Sequence, residues 1–257
     1  MGGFMRRLAV GVLLPGVVAF SALTGPAAEA ATGNGDLKIT KVSFNGGKSV
    51  VVGTTEKKTF VLAITATDSS GINAAYSDIW STATATGFGY HANLGCKAAN
   101  ATTATCSMSY VMDPGYYGLE NAQAGAWQAF VDISSKDHDA VSENWPAKFY
   151  VKRYAKLTAD ASPEPVRKGA SLTVTGKLSR ANWDDNAYHG YAGQSVKLQF
   201  RKAGTNTYTT VRNVTTSSTG TLRSTVTASA DGYWRYAFAG TATTASAKAP
   251  GDYVDTK

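Results

Sequence analysis

The chain has 257 residues, 43% of them hydrophobic, and carries 25 Lys and Arg against 18 Asp and Glu, for a formal charge of +7. Its basic residues are scattered singly or in adjacent pairs with no longer run, which argues against a nucleic-acid partner. The surplus is uneven: residues 31–152 hold 9 Lys against 10 acids, while residues 153–257 hold 14 Lys and Arg against 7 acids. Such a basic half favours acidic partners such as anionic wall polymers, or simply keeps the protein soluble.

Residues 1–30 read as a secretory signal peptide. Arg6 and Arg7 form a basic start, Leu8 to Phe20 an apolar core interrupted by Pro15, and Ala28-Glu29-Ala30 an A-x-A cleavage site. That apolar core is shorter than the roughly 20 residues a membrane span needs. The flanks of Arg6-Arg7 do not suit twin-arginine export. With no lipobox cysteine and no closing anchor motif, the expected product is secreted, extracellular or loosely wall-associated, and has no transmembrane segment after cleavage. Its length suits two domains of about 100 residues, each with its own core.

From residue 31 onward nearly every segment alternates with period two and is rich in Val, Thr, Tyr and Phe, so an all-β chain is expected. In residues 31–153 the pattern predicts strands at Leu37–Phe44, Lys48–Val52, Thr59–Asp68, Asn73–Trp80, Gly87–Leu94, Thr105–Met112, Ala126–Ser134 and Lys148–Arg153. Cys106, Met108, Tyr110 and Met112 share one face, opposite Ser107 and Ser109. Cys96 and Cys106 are the only cysteines. An even count in an oxidising compartment reads as one disulfide, and the spacing is not that of a C-x-x-C redox pair.

Residues 154–166 mark a boundary, because Pro163 and Pro165 would interrupt a central strand. Residues 154–257 then predict strands at Lys156–Ala159, Ser171–Leu178, Ser195–Arg201, Tyr208–Val214, Thr221–Ala228, Tyr233–Phe238 and Tyr253–Asp255. Leu172, Val174, Val196, Leu198, Phe200, Leu222, Val226, Trp234, Tyr236 and Phe238 fall on their inward faces. Both halves open a late strand with Gly-x-Trp, at Gly125-Ala126-Trp127 and at Gly232-Tyr233-Trp234. A glycine allows the tight turn, and the indole can cover the middle of a two-sheet core. Two consecutive immunoglobulin-like β-sandwich domains are therefore expected.

The run from Leu157 to Asp255, with SPEPVRKGASLTVTGKLSRANW, GYAGQSVKLQFR and DGYWRYAFAG, resembles the immunoglobulin-like repeat domain of secreted actinomycete proteins. The first half, ending AGAWQAFVDISSKD and FYVKR, resembles the domain that often precedes it. The resemblance implies a tandem sandwich in an extracellular setting and implies no enzymatic activity.

The residues themselves offer no G-x-S-x-G elbow, P-loop or H-E-x-x-H motif, and His91, His138 and His189 come from separate segments. A non-catalytic interaction or structural protein is expected, with an extracellular protein or a cell-wall polymer as its partner. A carbohydrate-binding role is the alternative. Two clusters carry polar chemistry. Asp137, Asp139 and Glu143 could supply hard oxygens to Ca²⁺, or could shape an exposed turn. Trp183, Asp184, Asp185, Asn186, Tyr188, His189 and Tyr191 combine rings for sugar stacking with groups for hydroxyls, provided that Trp183 does not fold back into a core. Adjacent Asp184 and Asp185 point to opposite faces of an extended segment, which suits neither type of glycosidase.

Overall fold

The computed structural model describes residues 35–115 and 118–257; the signal peptide expected at residues 1–30 lies outside them. In the first half the strands are β1 (Lys38–Phe44), β2 (Val50–Val52), β3 (Lys58–Thr67), β4 (Ile72–Ser81), β5 (Gly87–Ala98), β6 (Thr103–Met112), β7 (Gly125–Ser135), β8 (Ala140–Asn144) and β9 (Phe149–Arg153). One layer is β1-β3-β6. The other is β4-β7-β9-β2, with β8 also paired to β7. β5 belongs to both, since its stretch up to Leu94 pairs with β4 and its stretch from Gly95 pairs with β6.

The second half contains β10 (Ala155–Leu157), β11 (Asp160–Ser162), β12 (Ser171–Asn182), β13 (Ala187–Gly190), β14 (Ser195–Lys202), β15 (Thr209–Thr215), β16 (Thr221–Thr227), β17 (Gly232–Phe238), β18 (Ala247–Lys248) and β19 (Asp252–Val254). One sheet centres on β12, flanked by β10 and β11 on one side and by β13 and β16 on the other. The facing sheet runs β15-β14-β17, with β18 and β19 both on β17.

The two halves follow one plan. In each, the chain passes from one sheet to the other (β3 to β4, β12 to β14), a later strand returns beside the first (β6 on β3, β16 on β12), and the Gly-x-Trp strand pairs with a final strand broken in two (β8 and β9, β18 and β19). Each also has a parallel contact between an early segment and the end of that final strand: β2 with β9, and Val166 with Thr256. This is the strand order of an immunoglobulin-like sandwich. The Trp positions are equivalent in register, for Gly125 faces Val151 and Trp127 faces Phe149, as Gly232 faces Val254 and Trp234 faces Asp252.

Alternation decides what is buried. In β3, Phe60, Leu62, Ile64 and Ala66 turn inward, and in β7, Trp127, Ala129, Val131 and Ile133 meet them from the other sheet. Trp127 stacks with Phe88 and donates its indole N–H to the Gln123 carbonyl at 2.8 Å. In the second half Leu172, Val174, Val196, Leu198, Leu222, Val226, Trp234, Tyr236 and Phe238 are all buried. Phe200, expected inside, is only half-buried against this cluster.

Three features differ from the expected pattern. The short strands β8, β11, β13 and β18 fall where turn residues dominate the sequence. β12 runs on to Asn182 instead of ending at Leu178, because β10 and β13 pair with that extension. Nor does residue 153 end the first half's backbone pairing: Arg153 N–H donates to Thr243, and Ala245 N–H donates to Arg153, linking β9 to a loop of the second half.

Candidate functional site

The segment from Trp183 to Tyr191 contains the hairpin turn between β12 and β13 (residues 183–186, with Asn186 at φ +56°), β13 itself and the residue after it. Asparagine tolerates that left-handed conformation through local hydrogen bonding. Trp183 does not face solvent. Only 2% exposed, it joins the first half's hydrophobic cluster together with Ala181, and its indole N–H donates to the Gly53 carbonyl at 2.9 Å. Its ring is thus unavailable for sugar stacking, because burying it beside β2 removes more apolar surface from water than an exposed turn would.

The residues around Trp183 clamp the two halves. Asn121 lies in a short turn (Asn121–Gln123) that leads into β7 and is closed by reciprocal bonds between Glu120 and Gln123. Its backbone N–H donates to Asp184 Oδ1 at 2.8 Å, and its Oδ1 accepts the Trp183 N–H at 3.0 Å. Its Nδ2 donates to Asn182 Oδ1 and Asp184 Oδ2. Arg153, 7% exposed, donates from Nε to the Ala181 carbonyl. Burial lowers its pKa to about 10, with the nearby Arg180 adding to that fall and Asp184 opposing it. An arginine in that environment remains protonated at neutral pH.

The other expected ligand residues are dispersed in role. Asp185 and His189 pair at 2.6 Å on the exposed side of the hairpin, and Asn186 is exposed. Tyr188 is half-buried, with Lys156 Nζ 3.5 Å from its ring centre and Tyr154 against its edge. Tyr191 carries the Arg180 guanidinium at 3.9 Å and meets Phe238 edge-on. Tyr188 thus packs against the first half's cluster and Tyr191 against the second half's, and neither forms an open platform.

At the opposite end of β7, Asp137 accepts a hydrogen bond from Ser135 Oγ. This bond, followed by Ser70, holds its carboxyl below the ordinary carboxylate value. Asp139 comes together with Asp36 and Asp68, and a carboxylate oxygen of each lies within 4.8 Å of the others. Asp137 and Glu143 stand outside that group. Sequence spacing could not reveal it, because its members come from the segment just before β1, the β3–β4 turn and the β7–β8 turn. The signal available was the Asp68-Ser69-Ser70-Gly71 turn, which reads first as a plain turn.

The outer face of the β15-β14-β17-β19 sheet carries a set that sequence reasoning missed. Arg201 lies 3.9 Å from the Tyr233 ring centre and Arg235 lies 3.5 Å from that of Tyr208. Tyr233 and Tyr253 sit 5.1 Å apart, and Arg235 Nε donates to Gln199 at 2.9 Å. Tyr253 is exposed. Its sequence signal was alternation: Gln199 and Arg201 on one strand, with Tyr233 and Arg235 on the other, all point away from the inward Leu198, Phe200, Trp234 and Tyr236.

The cysteines form the expected disulfide. Cys96 and Cys106 are direct cross-strand partners of β5 and β6, bonded just after β5 changes sheets. Among the described residues no helix is long and apolar enough to cross a membrane.

No protein-family model matches the chain, and no curated protein matches it in sequence. Among solved structures, the dimeric latent PorU of Porphyromonas gingivalis is 14% identical at a TM-score of 0.30, and the match covers 95% of this chain but only 22% of PorU. The D00-D0 domain of intimin is 11% identical at 0.29, covering 83% of this chain and 99% of that one. A 1.5-MDa bacterial ice-binding adhesin is 10% identical at 0.30, covering 84% and 65%. Likenesses of this size do not extend to function; the strand order and core described above carry the fold.

Proposed function

We propose that the protein is an exported, non-catalytic interaction module of two immunoglobulin-like sandwiches, residues 31–153 and 154–257, joined by a fixed junction and presenting a basic aromatic face to an anionic cell-wall polymer. The single observation that carries this reading is the Arg201, Tyr208, Tyr233, Arg235 and Tyr253 face. Arginines placed over tyrosine rings keep their charge, and a cation over an aromatic face gains about 0.5–1 kcal/mol at an exposed site. The tyrosines prop the guanidinium groups in place, so that less side-chain freedom is lost when a polyanion binds. The charge balance of the second half agrees, with 14 Lys and Arg against 7 acids. The junction around Asn121, Trp183 and Asp184 supports a structural role alongside it, since it would hold that face at a set orientation to the first sandwich.

The test is retention of purified protein on intact wall and on purified anionic wall polymer across a salt series. Retention should fall steeply between about 50 and 200 mM salt, as expected for screened contacts. The R201Q/R235Q double variant, with its thermal transition unchanged, should be retained at least about tenfold less, equivalent to 1.4 kcal/mol. Equal retention of that folded variant would remove this face from the account. Salt-insensitive retention competed by neutral sugar would favour the carbohydrate reading instead.

A further inference from the structure

We propose that Asp36, Asp68 and Asp139 form a calcium-binding site that fastens the two sheets of the first sandwich at the end of β7 away from Gly125. The three carboxylates come from the residue preceding Leu37 and β1, from the β3–β4 turn and from the β7–β8 turn, and an oxygen of each lies within 4.8 Å of the others. A single ion with oxygen ligands at about 2.3–2.6 Å can touch all three. Like charges this close repel, and among the described residues no Lys or Arg forms an ion pair with any of them.

Asp68 is the observation that points to a ligand. Only 2% exposed, it has one oxygen, Oδ1, satisfied by the Ser70 N–H at 2.8 Å and the Ser70 hydroxyl at 2.6 Å. Its Oδ2 is buried with no hydrogen-bond partner. A buried carboxylate oxygen without a donor is costly, and a divalent cation supplies what no donor here provides. The backbone is shaped around the group as well. Gly35 has φ +80°, a conformation that favours glycine, and a Cβ there would sit 1.8 Å from Asp139 Oδ2, so a side chain at this position would have to displace that carboxylate. The Asp36 N–H then donates to that same Oδ2 at 3.1 Å. The donor set is all hard oxygen with neither histidine nor cysteine, which selects Ca²⁺ over zinc, and its origin in three separate loops suits the flexible geometry of Ca²⁺ better than the strict octahedron of Mg²⁺.

The experiment is calorimetric titration of the purified protein with CaCl₂ and with MgCl₂, together with thermal unfolding in millimolar Ca²⁺ and in EGTA. Wild type should bind one Ca²⁺ and unfold several degrees higher in Ca²⁺ than in EGTA, because an ion that binds only the folded state stabilises it. D68N should lose the Ca²⁺ response and, with one charge fewer, unfold in EGTA no lower than wild type. A purely structural role for Asp68 would not produce that crossing. Should D68N fail to fold, the exposed D36N still decides the matter, its Ca²⁺ affinity falling at least about tenfold, a change of 1.4 kcal/mol. Identical wild-type unfolding in Ca²⁺ and EGTA, an undiminished Ca²⁺ response in D36N, or a stronger response to Mg²⁺ would each overturn the calcium site.

Discussion

The two halves share a strand order and a Gly-x-Trp strand in the same register, yet their surfaces have almost nothing in common. The first half has a disulfide, three convergent aspartates and a near-neutral balance. The second has no cysteine, and it stacks arginines on tyrosines across one sheet. A sandwich core tolerates this divergence because inward positions are fixed by alternation, whereas every second residue is free to change. The chemistry that can differ between the halves therefore lies on outward positions and at the ends of strands.

The largest effects should come from the tryptophans, which also test whether the halves hold separate cores. Trp127 and Trp234 occupy equivalent positions in different hydrophobic clusters. Replacing either with Ala should cost about 3–5 kcal/mol. Hydrogen exchange should show W127A loosening amides of the first half and W234A those of the second. Trp183 sharpens the comparison, because it follows a second-half strand and packs in the first-half cluster. W183A should therefore loosen first-half amides near Val52 and Gly53. Exchange confined to β12 and β13 in that variant would mean that the clamp contributes nothing to the first core.

Much of this architecture was legible in the sequence, since period-two patterns depend only on neighbouring residues. Leu172, Val174, Leu198 and Tyr236 could be placed inward from such patterns alone, and the two cysteines could be paired because no others exist. The fate of Trp183 was not legible. Its hairpin reads like a displayed loop until β2 and Asn121 are brought against it, from more than 60 residues away in the chain. The acidic group was hidden for the same reason, as Asp36 and Asp139 are separated by 103 positions. Short strands such as β8 and β13 escaped because their partners, and not their own composition, make them strands.

A smaller effect should come from the disulfide, which exists in the first half alone. Cys96 and Cys106 are 10 residues apart, and closing so short a loop contributes about 2–3 kcal/mol in the chain-entropy view. The C96S/C106S variant should lower the first half's unfolding free energy by that amount and leave the amides of the second half unchanged. A loss shared equally by both halves would show that they unfold as one unit, and would count against treating them as separate domains.

The smallest effect at neutral pH should come from a device that both cores use, a buried tyrosine that donates to a backbone carbonyl of the same half. Tyr110 donates to Ser77 at 3.0 Å and Tyr236 to Val174 at 2.9 Å. Burial raises both phenols, that of Tyr236 to about 12. A phenol whose pKa is higher in the folded chain than the ordinary 10 keeps its proton longer when folded, so its stabilising contribution is complete below pH 10 and is lost as pH rises through about 12. Y236F removes one hydrogen bond and should cost about 1 kcal/mol at pH 7, but it has no proton to lose. Wild type should then give up about 2–3 kcal/mol between pH 10 and 12 that the variant does not, since each pKa unit is worth about 1.4 kcal/mol. The two stability curves should therefore cross in that window when followed by urea unfolding. Y110F should show the same sign in the first half, and parallel curves with no crossing in either variant would mean that these phenols are not the groups that titrate against the fold.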